Sequence, residues 1–407
     1  MKKILLLTFG LALLPRADFA QLSTFFVAPA LTDTGYAVDQ DSNYVAYDSA
    51  AASNGKLLFF IGGTGSHTAD FTEFVDLAAT LGYHCVVVAY RDTPEVATIC
   101  KNSPDSLCYS LYRQQVCFGT PVSTAAVDTL NSLVTRMQHL LVYLAVTYPT
   151  QGWGQFLSGG LPVWGHIAIS GHSQGSGHAM YIAKQMRCDR VLMFSGADDY
   201  SLYYSAPSPW LSWPSATIDS SLYGFLSLGN ENIPYSEQYI IQQVMGVTVS
   251  GDSVDADIIS PPYRYSHCLY TDLTPLHTGT ASYHCSTVCN FYAPLSGTTP
   301  VYIPVWTYML TDTGAADTTV SSTGIAAVTS DLLSIYPDPA TDHLMVSYTS
   351  AEKNYKIEIL DMTGRVLGSC VATGAGTSIS LINIAGGNYL VRLSGNETSI
   401  IKEFVKM

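Results

Sequence analysis

Four short runs that are apolar at nearly every position constrain the fold more than any other feature of this chain. Lys56-Leu-Leu-Phe-Phe-Ile61 halts at Gly62-Gly63, and Cys85-Val-Val-Val-Ala89, His166-Ile-Ala-Ile-Ser170 and Arg190-Val-Leu-Met-Phe-Ser195 follow it. A strand buried on both of its faces carries such continuous apolar runs, whereas a half-exposed strand alternates. Helical patterns lie between them. Phe71, Phe74, Val75, Ala78 and Leu81 form one stripe that ends at Gly82. A long helix is expected from about Ser123, with Val127, Leu130, Val134, Met137, Leu141 and Leu144 on one face and a stop at Tyr148-Pro149. A third is expected from Gly175 to Met186, and Leu222 to Leu228 is a further strand candidate. This alternation of strand and helix predicts a parallel sheet covered on both faces.

The two ends of the chain are of different character. Lys2 and Lys3 precede an apolar run from Ile4 to Leu14, and Ala17-Asp-Phe-Ala20 then meets Gln21, which reads as a signal peptide over residues 1–20. The run is about 11 residues, against the roughly 20 that a bilayer span needs, and no later stretch is long and apolar enough to span. From 311 to 330 the composition turns to Thr, Ser, Ala, Gly and Asp without periodicity, as in a linker. Residues 21–310 are therefore expected to form one domain and residues 331–407 another. With 47% apolar and only 12% charged residues, most of the chain should fold. A net charge of -14 leaves no basic surface for phosphates, so nucleic acid is not an expected partner. Nine cysteines in an exported chain suggest disulfides. Cys100, Cys108 and Cys117 form one cluster and Cys268, Cys285 and Cys289 another; an odd count leaves at least one unpaired, and the connectivity stays open. Zinc at Cys285, Cys289 and His277 or His284 is a competing reading, although the spacing fits no standard finger.

Between the third run and the helix that follows stands Gly171-His-Ser-Gln-Gly175. Glycines on both sides let the backbone take a strained strand-to-helix turn that lifts the Ser173 hydroxyl above the sheet edge. The helix N-terminus behind it directs free N–H groups toward a developing oxyanion. An ordinary glycine-rich turn with a solvent serine is the plain alternative. A serine needs a base, and the base an orienting carboxylate. Among the late histidines, His267 sits in an alternating, strand-like stretch, while His284 lies in a polar stretch suited to a loop and is favoured over His267 and His277. Glu231, after the strand candidate 222–228, is the favoured acid; Asp199, after the preceding strand, is its rival, and either residue can instead cap a helix or turn. The oxyanion donors are expected at Gln174 and, from the loop Gly62-Gly-Thr-Gly65, at Thr64. That loop lacks the Lys and Ser/Thr of a phosphate cradle, and no cofactor or metal is required. The stretch from Tyr200 to Trp213, with Trp210 and Trp213 among prolines, either roofs a substrate pocket or packs as a surface loop.

Over residues 50 to 300 these features resemble the alpha/beta hydrolase fold family. Tyr148-Pro149, Gly152-Trp153, Phe156, Pro162-Val-Trp164, Gly171-His-Ser-Gln-Gly175 and Ser195-Gly-Ala-Asp-Asp199 are similar to a bacterial branch of it. That branch has a glycine where Ser176 stands and tends to have aspartate where Glu231 stands. The resemblance implies an α/β fold with a mostly parallel sheet flanked by helices, Ser173 as nucleophile, His284 as base and Glu231 as its partner. It implies a serine hydrolase, an esterase or related acyl hydrolase acting on a small-molecule or lipid-like ester, with a serine peptidase or a non-catalytic surface binding protein as alternatives. The tail resembles the C-terminal sorting domain of the type IX secretion system, in Ile335-Tyr-Pro-Asp-Pro-Ala-Thr-Asp342, Ile359-Leu-Asp-Met-Thr-Gly-Arg365, Gly386-Gly-Asn-Tyr389 and Lys402-Glu-Phe-Val-Lys406. Lys356 to Leu360 and Tyr389 to Leu393 alternate apolar and polar between turns, as in a small all-β sandwich. The resemblance implies the secretion machinery as partner, removal of the tail on export, and a protein released or attached to surface lipopolysaccharide.

Overall fold

The computed structural model describes residues 22–36, 41–119, 125, 127–312, 333–336, 340–348, 356–361, 366–371, 376–394 and 399–406. The expected signal peptide, and the expected linker beyond Asp312, lie outside them. Two compact units are present, residues 1–315 and 316–407.

The first unit is built on nine strands: β1 (Leu22–Val27), β2 (Asn43–Asp48), β3 (Leu57–Ile61), β4 (His84–Val87), β5 (Ile167–His172), β6 (Arg190–Phe194), β7 (Leu222–Ser227), β8 (Val254–Asp255) and β9 (Cys268–Thr271). They lie side by side in the order β1-β2-β4-β3-β5-β6-β7-β9-β8. From β4 to β8 every pair is parallel, while β1 with β2 and β2 with β4 are antiparallel. The continuous apolar runs follow from burial on both faces. Leu57, Phe59 and Ile61 point into one core with Ile167, Ile169, Val191 and Met193; Leu58 and Phe60 point into the other with Ala168, Leu192 and Phe194. All five β3 residues are fully buried, worth about 1.5–3 kcal/mol for each large side chain.

Helices α1 (Thr72–Thr80), α2 (Cys108–Phe118), α3 (Leu133–Thr147), α4 (Gln174–Gln185), α5 (Tyr235–Met245), α6 (Ser282–Ser286) and α7 (Ile303–Thr311) pack around this sheet. Phe74, Val75 and Ala78 of α1 and Trp306 and Met309 of α7 close one core; Met137, Leu141 and Leu144 of α3 and Met180 and Ile182 of α4 close the other. The helix expected from about Ser123 begins ten residues later. Asp128 Oδ1 accepts the Asn131 N–H at 2.8 Å in a turn, and Ser132 Oγ then caps α3 by accepting from Thr135 N. Asp and Ser hydrogen-bond locally and so compete with helix propagation.

The expected alpha/beta hydrolase fold is corrected by this architecture: the first unit has one large mixed sheet and several two-stranded ones. Two antiparallel strands, β1 and β2, enter at one edge upstream of the strand–helix alternation, where pairing needs no crossover helix. Separate two-stranded sheets join Leu157–Ser158 to Leu161–Pro162, Tyr200–Ser201 to Ala206–Pro207, and Leu295–Ser296 to Thr299–Pro300.

In the second unit, β10 (Leu333–Tyr336), β11 (His343–Tyr348), β12 (Lys356–Asp361), β13 (Val366–Val371), β14 (Gly376–Ser380), β15 (Gly387–Ser394) and β16 (Ser399–Lys406) form two antiparallel sheets, β10-β11-β14 and β13-β12-β15-β16. Leu344 and Val346 from one and Ile357, Ile359, Val391 and Phe404 from the other share a single apolar cluster. On the opposite face of β12, Glu358 accepts from Nε of its cross-strand neighbour Arg392 at 2.8 Å.

Candidate active site

Ser173 links β5 to α4 with φ 55° and ψ -123°, a conformation that a non-glycine residue holds only where its surroundings enforce it. Here they do. Its N–H donates to Phe194 O at 2.9 Å, and Ser176 N–H donates to Ser173 O at 3.0 Å. Ser176 Oγ accepts the Phe194 N–H at 3.1 Å and donates to Gly171 O at 2.6 Å, so this side chain ties β5 to β6 beneath the turn. Gly175 admits no side chain, because a Cβ there would stand 2.1 Å from Ile61 O. Gly63 lets its loop approach from the other side; a Cβ at that residue would lie 3.0 Å from Ser173 Cβ.

Ser173, Thr64, His172, His284, Cys285 and Cys289 border a cavity of about 360 Å³. A larger cavity of about 570 Å³, bordered by Tyr90, Arg91 and Arg136, includes neither Ser173 nor His284. Ser173 Oγ makes no hydrogen bond to His284 or to any other described residue. His284, on α6, is buried. Its Nδ1 lies 3.1 Å from Asn230 Oδ1 and 3.9 Å from Asp198 Oδ2, and its Nε2 is buried without a partner among the described residues. Asn230 Nδ2 donates to Gln238 Oε1 at 3.0 Å and Asn232 N–H donates to Asn230 Oδ1 at 2.9 Å, which fixes the oxygen toward the ring. The Nδ1 proton is therefore donated to Asn230, and Nε2 carries the free lone pair. Burial, with the neighbouring His172, holds the His284 pKa well below the ordinary value.

The favoured acid, Glu231, is not on the imidazole. Its Oε1 accepts from Ser282 Oγ at 3.0 Å and Tyr283 N at 2.9 Å, and its Oε2 from His284 N at 2.9 Å. The reason is electrostatic: the free amides at the start of α6 attract a carboxylate, so Glu231 caps the element that carries His284. Asp199 is also elsewhere. It is fully buried against Arg113, accepting from Nε at 2.6 Å and also from Nη2, and it accepts from Trp210 Nε1 at 2.7 Å. Arg113 Nη1 in turn donates to Gln174 O at 2.9 Å, so this pair braces the first turn of α4. The carboxylate that faces His284 is Asp198. About a fifth of its side chain is exposed, yet burial of the rest, reinforced by the charge of Asp199, pushes its pKa up to about 8. Asn230 and Asp198 each adjoin a residue that the sequence singles out, and chain order alone does not decide which of two loop neighbours turns inward.

Thr64 borders the cavity, and the Gln174 N–H, first in α4, has no backbone acceptor among the described residues. Gln174 itself is held by Val96 N–H at 2.7 Å and by donation to Asp92 O at 2.8 Å. His267 is buried and stacked on Tyr223 at 3.9 Å, with Nε2 3.4 Å from Asp312, and His277 stacks on Phe291 at 4.1 Å. Trp210 is fully buried, and neither it nor Trp213 borders the Ser173 cavity, so the aromatic stretch packs and does not roof it. Cys100 and Cys108 form a disulfide with Cα atoms 5.5 Å apart, while Cys117 is buried with a free thiol. Cys285 and Cys289 gather with His172, not with His277 or His284. Their hydrogen bond to each other, helped by His172, holds the Cys285 thiol down at about 5, whereas burial pushes Cys289 well up. Burial opposes protonation of His172, but its interactions with Cys285 outweigh this and raise its pKa.

Residues 334–407 match the secretion system C-terminal sorting domain. The protein is exported through the type IX secretion system, engages that machinery through its tail, and is secreted or held at the cell surface. Among the described residues no helix is long and apolar enough to cross a membrane. No curated protein matches the chain. Among solved structures, a DUF3244 family protein of Bacteroides vulgatus with an immunoglobulin-like β-sandwich is 21% identical over 18% of this chain and 84% of its own, with a TM-score of 0.17. PorZ, a surface component of the type IX secretion system of Porphyromonas gingivalis, is 21% identical over 19% of this chain and 12% of its own, with a TM-score of 0.16. The BSP domain of a biofilm associated protein is 11% identical over 19% of this chain and 14% of its own, with a TM-score of 0.17. None of these comparisons supports an alpha/beta hydrolase family or fold.

Proposed function

We propose that the exported chain is a serine hydrolase, an esterase or related acyl hydrolase, with Ser173 as nucleophile and His284 as base. One observation carries the reading: a serine held at a sharp strand-to-helix bend shares a cavity with a buried imidazole whose Nε2 is unpartnered and whose Nδ1 proton is committed elsewhere. Ser173 Oγ attacks an acyl carbon as its proton passes to His284 Nε2, while Asn230 Oδ1 holds the Nδ1 proton of the imidazolium that forms. The tetrahedral oxyanion is received by the amides of Gln174 and Thr64, and the proton on Nε2 is returned to the leaving alcohol. Water then repeats the sequence on the acyl-serine. A cavity of about 360 Å³ suits a short acyl or alcohol group. A peptidase would use the same groups, and a panel of ester and amide substrates separates the two.

The absent hydrogen bond between Ser173 and His284 favours a second reading, a non-catalytic surface binding protein, although catalytic pairs in free enzymes are often loose. The discriminating experiment treats the secreted protein with a fluorophosphonate and with p-nitrophenyl acetate. Labelling and hydrolysis are expected for the wild type and neither for Ser173→Ala; equal hydrolysis by both proteins, or no labelling of the wild type, sinks the enzyme reading.

A further inference from the structure

We propose that His172, Cys285 and Cys289 form a binding site for one Zn²⁺-class cation, with its fourth position open to the cavity that Ser173 borders. The site does not depend on Ser173 being catalytic. Its three donor atoms all lie within 4.8 Å of one another, and Cys289 Sγ is 3.9 Å from His172 Nδ1. Tetrahedral angles on Zn–S bonds of about 2.3 Å and Zn–N bonds of about 2.05 Å place sulfur and nitrogen about 3.6 Å apart. A contraction of a few tenths of an ångström closes that pair onto a metal.

The donors are also aimed. His172 Nε2 donates to His284 O at 3.2 Å, which leaves Nδ1 as the ring's free acceptor and fixes its plane. A carbonyl on the outer nitrogen of a ligating histidine is the arrangement that orients imidazoles at metal centres. Cys285 and Cys289 are four residues apart on one helical turn, closed by Cys289 N–H donating to Cys285 O at 2.9 Å, so both sulfurs leave the same side. The turn that aligns the sulfurs also keeps their Cβ vectors side by side, which suits a shared ligand better than a disulfide. Two thiolates and an imidazole select a borderline-soft ion over Mg²⁺ or Ca²⁺. Three protein ligands with a fourth position left to water or a small anion is the donor count of an open zinc site, not a closed structural one. All three residues border the cavity, so the open position faces it.

The test uses the reduced full-length chain, titrated with Co²⁺ and, separately, loaded with Zn²⁺, dialysed and analysed for metal content. One ion per chain, with thiolate-to-cobalt charge transfer and the visible bands of tetrahedral Co²⁺, is expected. Cys285→Ser and Cys289→Ser should each lower bound metal at least tenfold, while Cys117→Ser and Cys370→Ser leave it at one per chain. Melting curves of each variant without metal identify any that fails to fold, and Cys285→Ala serves as a second probe of the same ligand. The proposal is overturned if the reduced wild type shows no thiolate–cobalt band, if folded Cys285→Ser and Cys285→Ala both keep one ion, or if the secreted protein isolated without reductant carries a disulfide between residues 285 and 289.

Discussion

On the proposed hydrolase reading, Asn230→Ala tests the group that sets the direction of proton transfer. In the folded protein Asn230 Oδ1 is the acceptor for His284 Nδ1 at 3.1 Å, and Asp198 at 3.9 Å is too far to replace it without movement. Removing the amide leaves a buried N–H unpaired and frees the ring to turn or to change tautomer. An unsatisfied buried donor costs about 1–3 kcal/mol. If that cost falls wholly on the transition state, kcat/KM drops roughly 5- to 150-fold at 1.36 kcal/mol per decade. Asp198→Asn, by contrast, exchanges a carboxyl that its raised pKa keeps largely neutral at pH 7 for a neutral amide of the same shape at 3.9 Å from the ring, so a change of less than about threefold is expected there. Both variants are to be assayed on p-nitrophenyl acetate with kcat and KM resolved, and by the rate of fluorophosphonate labelling, after thermal melts establish folding. The reasoning is refuted if Asn230→Ala stays within twofold of wild type while Asp198→Asn loses a hundredfold, for the orienting group is then the carboxylate.

Glu231→Ala removes the acceptor for three hydrogen bonds at the start of α6; denaturant unfolding should register a loss of about 1–2 kcal/mol, with Glu231→Gln retaining part of it. Asp199→Asn breaks the buried pair with Arg113, and an uncompensated buried charge should lower stability by about 3–5 kcal/mol, read as a fall in urea midpoint at constant m-value. The pH dependence of stability carries a sign fixed by Asp198. Its folded pKa of about 8 exceeds an unfolded value near 3.9, so the unfolded state sheds this proton first and the residue weakens the fold progressively from about pH 4 to about pH 8. Asp198→Asn should therefore gain stability over wild type across that window and match it at pH 3; a difference independent of pH would contradict the raised pKa.

How far the sequence could be read depends on what kind of physical constraint each residue obeys. The strands 57–61 and 190–194 and the bend at Ser173 were legible because burial on two faces and glycine sterics leave marks at single positions. The start of α3 was not. Val127 and Leu130 continue the apolar stripe of a helix, but both serve a turn closed by Asp128 and Ser132, whose side chains compete for the backbone bonds that propagation requires. The edge strand β1 escaped for a related reason, since exposure along its length leaves no continuous apolar run, whereas β2 is buried but its apolar stretch, Tyr44-Val-Ala-Tyr47, is short and bounded by Asn43 and Asp48.

The site divides along the same line. Chain order and an expected loop single out His284, but it is buried on the helix α6, and the choice between Glu231 and Asn230, or between Asp199 and Asp198, turns on the direction of one side chain in a loop. At both places the stronger electrostatic claim came from elsewhere: free helical amides took Glu231, and the guanidinium of Arg113 took Asp199. A charged residue beside a competing charge or dipole is the one a sequence reading ranks first and the fold diverts. The neighbours left over, an amide and a carboxyl with about a fifth of its side chain exposed, then face the imidazole. By the same logic His172, fixed before Ser173 in the chain and opposite two thiols, is visible only once α6 is packed against β5, because nothing in the spacing of 172, 285 and 289 marks them as a set.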